Sequence, residues 1–221
     1  MNTRSNMQDY QYQFLKFVIQ HQILEFGEFK LKSGRISPYF FNAGLFNSGQ
    51  KLSFLADSYA QAIIGSNATF DVLFGPAYKG IPLVAATAIA LSKNHEVDKP
   101  YCFNRKEVKE HGEKGLIVGS SLEGRVLILD DVITAGTAIR EVAEVIKNNN
   151  AIISGITVAL DRQEKGLGDL SAVQEIEYAF NISVVSIINL ENIVNYLSAS
   201  EDERLKKHSD SVRNYRDTYG V

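Results

Sequence analysis

The run Arg125–Ile139 reads RVLILDDVITAGTAI. Four apolar residues, Val126 to Leu129, lead into two adjacent carboxylates, Asp130 and Asp131. A short turn of threonine and small residues follows, and a helical pattern, TAIREVAEVIKNN, begins at Thr137. A continuous apolar strand that passes through a tight turn into a helix is half of a β-α-β unit, with the strand covered on both faces. The same alternation recurs on either side. DVLFG, PYCFN, ISGITVALD and ISVVSII read as strands. IPLVAATAIALSK and AVQEIEYAF read as helices between them. The sequence therefore predicts an α/β fold with a mostly parallel central sheet flanked by helices.

Before this core, DYQYQFLKFVIQHQIL has the spacing of an amphipathic helix, and GEFKLKSGRISPYFFNAG reads as short strands and turns. A helix is expected over Lys51–Ile64. Leu190–Leu197 and Glu201–Tyr215 are expected to be helical. The boundaries expected are a small N-terminal hood over 1–47, an α/β core over 48–200 and a C-terminal helix over 201–221, all in one domain. Residues Arg105–Gly119, rich in charge and glycine with little apolar periodicity, read as a long loop inside the core.

Composition narrows the class. The 221 residues suffice for one compact core without staples, and a net charge of −3 argues against a protein built mainly to bind nucleic acid. Cys102 is the only cysteine, so no intrachain disulfide and no zinc spacing exists; it reads as a small buried apolar residue. The N-terminal region carries Arg4, Asp9 and Lys16 with no signal-peptide core, and the longest apolar run, Ile81–Leu91, is too short for a bilayer. These features predict a soluble cytoplasmic protein.

In such sheets ligands bind beyond the carboxyl ends of the strands. There, Thr134, Ala135, Gly136, Thr137 and Ala138 form a turn at a helix N-terminus, where unpaired N–H groups, the helix dipole and two hydroxyls suit a phosphate monoester. It is not a Walker A loop: the only comparable glycine pair, Gly75 and Gly80, is followed by Ile81. The GLG at Gly166 lacks the third glycine of a dinucleotide fingerprint. Asp130 and Asp131 would repel a neighbouring phosphate unless a divalent cation or a polyhydroxylated sugar intervenes. An isolated acid pair at a strand end would more often be a solvent-exposed helix cap.

VLILDDVITAGTA resembles the phosphoribosyl-pyrophosphate (PRPP) motif of the type I phosphoribosyltransferases, in which the acids face the ribose and the turn, Val132 and Ile133 included, holds the 5-phosphate. FGEFKLKSGRISPYFFNAGLF, FGPAYKGIP, YCFNRKEVKEHGEKG and LDRQEKG together resemble the orotate phosphoribosyltransferases of the bacterial dimeric kind, over nearly the whole chain. The resemblance implies that family's fold and its reaction: orotate plus PRPP giving orotidine 5′-monophosphate and pyrophosphate, in pyrimidine biosynthesis. It implies Lys32 beside both substrates, and Phe40 and Phe41 lining the base pocket. Tyr78 and Lys79 fall on the pyrophosphate side, Thr134 serves both substrates, and Arg162 meets the orotate carboxylate. Arg105, Lys106, Lys109 and His111 lie on a catalytic loop that closes over the pyrophosphate. Mg²⁺ is the implied cofactor, held mainly by PRPP, with no direct protein ligand and Asp130 and Asp131 reaching it through water. A homodimer with shared sites is implied, without nucleic acid or membrane partners. Two rivals share the fold. A nucleic-acid-binding regulator would want a basic reading helix, which is lacking. A purine transferase is disfavoured by Phe40, Phe41 and DRQE.

Overall fold

The computed structural model describes residues 7–31, 33–109, 115–133, 137–166 and 168–221, with the backbone alone for Val108, Lys109 and Thr137. Helix α1 (Asp9–Gln20) leads into an antiparallel pair, β1 (Leu24–Lys30) and β2 (Ile36–Phe41), and then helix α2 (Gly49–Gly65). The central sheet is built from β3 (Val72–Gly75), β4 (Tyr101–Lys109), β5 (Gly115–Gly119), β6 (Arg125–Asp130), β7 (Ile152–Asp161) and β8 (Ser183–Asn189). Their order is β5-β4-β3-β6-β7-β8, and only the edge strand β5 is antiparallel to its neighbour. Helices α3 (Gly80–His95), α4 (Thr137–Asn148) and α5 (Ala172–Phe180) make the crossovers. Helices α6 (Leu190–Ser198), α7 (Glu203–Lys206) and α8 (Ser209–Tyr219) close the chain.

Strand β6 shows why the apolar run is unbroken. Its side chains alternate between two cores: Val126 and Ile128 on one face, Leu127 and Leu129 on the other, all essentially without solvent exposure. The first face is covered by α4 and α5, through Ile139, Ile146 and Ile176. The second is covered by α1, α2 and α3, through Phe14, Tyr59 and Leu83. A polar residue at any of the four strand positions would be buried without water. Cys102 lies fully buried in the first core, and burial pushes its thiol up to about 11, so it behaves as the apolar residue expected.

Two expectations are corrected. Of the stretch expected as a loop, residues 105–109 and 115–119 are strand: β4 continues to Lys109 and pairs with β5, with Phe103 opposite Val118, Asn104 opposite Ile117 and Lys109 opposite Gly115, while residues 110–114 lie outside the described residues. The cause is cross-strand hydrogen bonding at an open sheet edge, which needs no apolar alternation in the charged stretch RKEVK. The C-terminal run is two helices rather than one. The Asp202 carboxylate caps α7 by accepting from the Arg204 N–H at 2.9 Å. After Lys207 and His208 the chain restarts as α8, whose Ser209, Val212 and Tyr215, three residues apart, face inward. Among the described residues, no helix is long and apolar enough to cross a membrane.

Candidate active site

The parallel strands β3, β4, β6 and β7 all deliver their carboxyl ends to one edge of the molecule. The acid pair sits at its centre. Tyr59 of α2, fully buried, donates its hydroxyl to the Asp130 carbonyl at 2.6 Å. The Asp131 N–H donates to Asp130 Oδ1 at 2.9 Å, and the Asp131 carbonyl accepts from the Ala159 N–H of β7 at 2.9 Å. The backbone of both acids is thus tied to α2 and β7. Burial and the neighbouring Asp131 charge push the Asp130 carboxyl up to about 6, while the Asp131 N–H and Lys79 pull the other way. Asp131 is more open, and its Oδ2 accepts from Lys79 Nζ at 2.6 Å.

Lys79 comes from the turn between β3 and α3. That turn is tight because β3 and α3 touch through backbone: a Cβ on Gly75 would lie 2.1 Å from the Gly80 carbonyl oxygen. The Ala77–Tyr78 peptide bond is cis. The Ala77 N–H donates to Asn104 Oδ1 of β4 at 2.9 Å. The exposed Tyr78 ring lies 5.1 Å beneath Lys106 Nζ. The turn and the far end of β4, which carries Arg105 and Lys106, therefore form one cationic flank beside the acids. Lys109 is the last residue of β4, with its side chain outside the described residues, and His111 lies outside them altogether.

After the acids, Val132 is half-buried and Ile133 buried. Thr134, Ala135 and Gly136 lie outside the described residues, as does the side chain of Thr137. Helix α4 begins at Thr137, and Ala138 is exposed in its first turn. The strand-to-helix frame expected for a phosphate seat is therefore present on both sides of the turn.

The third part of the edge is Arg162, the first residue after β7. It reaches back to the hairpin: Nη2 donates to Ser37 Oγ at 3.0 Å and the guanidinium lies 4.3 Å over the Tyr39 ring. Its Nε donates to Glu164 Oε1 at 2.8 Å. The two phenylalanines leave β2 on opposite faces, as adjacent strand residues must. Phe41 is 8 % exposed and belongs to the core, while Phe40 is 39 % exposed and stacks on Phe29 with centroids 5.5 Å apart. Phe40 is thus the ring accessible to a ligand. Lys32 lies outside the described residues. A cleft of about 550 Å³ between the hairpin and α8, lined by Ile36, Ser37, Tyr215 and Tyr219 among others, borders the Arg162 side rather than the acids.

Sequence reasoning did not find Tyr59, Asn104, Ser37 or Glu164. Tyr59 lies 71 residues from the carbonyl it holds, and no local pattern could reveal that pairing. Glu164 stands inside the quoted LDRQE, where its i, i+2 spacing from Arg162 was a usable signal.

Comparison with known proteins gives one consistent answer. The phosphoribosyl transferase domain family matches residues 45–186. The chain is 59% identical over 215 residues to the orotate phosphoribosyltransferase of Pseudomonas aeruginosa, across 97% of this chain and 100% of that one. It is 57% identical over 215 residues to the enzyme of that name from Photobacterium profundum, with the same coverage. The crystal structure of orotate phosphoribosyltransferase from Francisella tularensis superposes with a TM-score of 0.85 at 48% identity, covering 95% of this chain and 100% of its own.

Proposed function

The chain belongs to the phosphoribosyltransferase family, among its orotate phosphoribosyltransferases, and from that premise we propose how its residues divide the work. The reaction is transfer of the 5-phosphoribosyl group from PRPP to orotate, giving orotidine 5′-monophosphate and pyrophosphate, a step of pyrimidine biosynthesis. The observation that carries the division is the joining of β3, β6 and β7 ends by named bonds: Lys79 to Asp131, and Asp131 to Ala159 three residues before Arg162.

In this reading Asp130 and Asp131 accept hydrogen bonds from the ribose hydroxyls, and the turn 132–138 holds the 5-phosphate with backbone N–H groups and the Thr134 and Thr137 hydroxyls. Tyr78, Lys79, Arg105, Lys106, Lys109 and His111 face the pyrophosphate. Lys79 must exchange Asp131 for a phosphate oxygen as PRPP enters. Arg162 takes the orotate carboxylate as a forked donor, Phe40 covers the ring with Phe41 anchoring its strand in the core, and Lys32 and Thr134 complete the base site.

The reacting ribose carbon passes through an oxocarbenium-like state while the orotate ring nitrogen forms the new bond and the carbon–oxygen bond to pyrophosphate breaks. No protein nucleophile is needed. The protein aligns the two substrates and supplies positive charge where the leaving group becomes more negative. Among the described residues, no group of three or more His, Cys, Asp or Glu could hold a metal ion. Two carboxylates already partly engaged by Lys79 and a backbone N–H are a donor set that fits Mg²⁺ carried mainly by the substrate, with water between. Such an ion would neutralise charge on the pyrophosphate.

The β4–β5 arm then reaches a partner's site, so the working unit is a homodimer. The exposed Tyr101 and Leu116 on that arm support this. A cytoplasmic location belongs to the same reading, supported by the lone buried thiol. The test is spectrophotometric. Protein with Mg²⁺, PRPP and orotate should consume orotate absorbance, while uracil, hypoxanthine and adenine give no product. Turnover of a purine in preference to orotate would sink the base assignment.

A further inference from the structure

The segment after β7 holds more order than a simple exit from a strand requires. Gln163 adopts φ 48°, a left-handed backbone uncommon for a residue with a side chain. It is held there from three sides. Its N–H donates to Asp161 Oδ1 at 2.8 Å, its Oε1 accepts from the Glu191 N–H at 2.9 Å, and its carbonyl accepts from the Val221 N–H at 3.0 Å. The result places Arg162 and Glu164 side by side, 12 % and 13 % exposed.

Glu164 grips one edge of the guanidinium. Its Oε1 accepts from Nε at 2.8 Å and lies 2.6 Å from Nη2. Ser37 Oγ takes the other Nη2 hydrogen at 3.0 Å, and the Tyr39 ring supports the plane from below. These contacts engage the Nε and Nη2 donors of the guanidinium. The carboxylate is itself fixed: the Tyr39 hydroxyl donates to Oε1 at 3.4 Å, and Oε2 lies 3.7 Å from Arg35 Nη1. Arg35 in turn donates to the Lys165 carbonyl at 3.0 Å and lies over the Tyr219 ring of α8. Burial raises the Tyr215 hydroxyl, and the Glu164 carboxylate and Arg162 guanidinium beside it act on it in opposite directions.

We propose that Glu164 is a positioning residue that sets acceptor specificity: it locks the Arg162 guanidinium in the orientation that meets the carboxylate of the incoming base. This rests on the assignment of Arg162 to orotate. An arginine without that grip would sample several orientations over Tyr39 and bind the carboxylate in few of them. In Glu164→Gln the amide oxygen can still accept from Nε and Nη2, but the negative charge that holds the guanidinium is gone and the amide N–H groups come to face Arg35.

The experiment is steady-state kinetics of Glu164→Gln, Glu164→Asp, Arg162→Ala and the Glu164→Gln/Arg162→Ala pair. Glu164→Gln should raise the orotate KM about tenfold or more, the loss expected for a charge-assisted bond. It should leave kcat and the PRPP KM within about twofold, the split expected when only acceptor binding is lost. Glu164→Asp should recover part of the effect, and the double variant should be no worse than Arg162→Ala. If Arg162→Ala raises the orotate KM and Glu164→Gln does not, the positioning role is overturned while the base site stands. If Arg162→Ala leaves it unchanged, the base-site assignment falls and the proposal with it. A Glu164→Gln variant that loses kcat and both KM values together marks a structural ion pair, and also overturns the proposal.

Discussion

Asp130 carries a cost in the folded protein. Burial and the Asp131 charge raise its carboxyl to about 6 from the ordinary 3.8. Across that window the unfolded chain has lost a proton that the folded chain keeps, so stability falls as pH rises, and the loss is complete above it. Asp130→Asn keeps the Oδ1 acceptor for the Asp131 N–H and removes the charge. Its melting temperature should match the parent near pH 4 and exceed it near pH 7.5, while its PRPP KM rises sharply. A variant no more stable than the parent near pH 7.5 would show that the carboxylate is not strained there. The Lys109 position makes the opposite demand, since the role proposed for it is confined to the leaving group. Lys109→Ala should raise the barrier to turnover by roughly 2.7–4 kcal/mol, as removal of an oxyanion donor does, with little change in orotate binding. Unchanged turnover in single-turnover kinetics would remove it from the mechanism.

The β3-turn-α3 element is governed by contact between backbones. The Cβ of Gly75→Ala would meet the Gly80 carbonyl oxygen at 2.1 Å and Val84 Cγ1 at 2.7 Å. The element would have to separate to accept it, at a cost of about 3 kcal/mol or more. Urea unfolding should show that loss, and the displaced turn should also weaken PRPP binding through Lys79. A variant as stable as the parent would mean the turn moves freely. FGPAYKG was legible as a turn from its glycines and proline, and the strand-DD-turn-helix element was legible from its period and its acids. The β4–β5 arm was not. RKEVKEHGEKG has charge and glycine where strand reading looks for alternation, and its pairing comes from an antiparallel neighbour at the sheet edge. The break between α7 and α8 was hidden for a related reason: the polar residues around 207 neither favour nor forbid a helix, and inward packing of Ser209, Val212 and Tyr215 decides the restart.

For the whole molecule, the shared-site reading predicts complementation. Lys109→Ala and Asp131→Asn damage the site from different subunits if the arm crosses to a partner. Co-expression should then restore about a quarter of parental activity, since half the dimers are mixed and each carries one intact site. No recovery in a verified mixed dimer would mean that each subunit completes its own site. The sequence by itself determined the layers, because an apolar run such as Val126–Leu129 can be satisfied only between two covering faces. It also determined the acid pair at the strand end and the family, because these depend on residues adjacent in the chain. Only the tertiary structure decided that Phe41 enters the core while Phe40 stays open, that Tyr59 holds the Asp130 carbonyl, and that Arg162 is gripped by Glu164 against Ser37 and Tyr39. The pairings of Tyr59 and of Ser37 and Tyr39 join residues far apart in sequence. Their distances are set by how α2 and the hairpin pack on the sheet, and no local pattern encodes that packing.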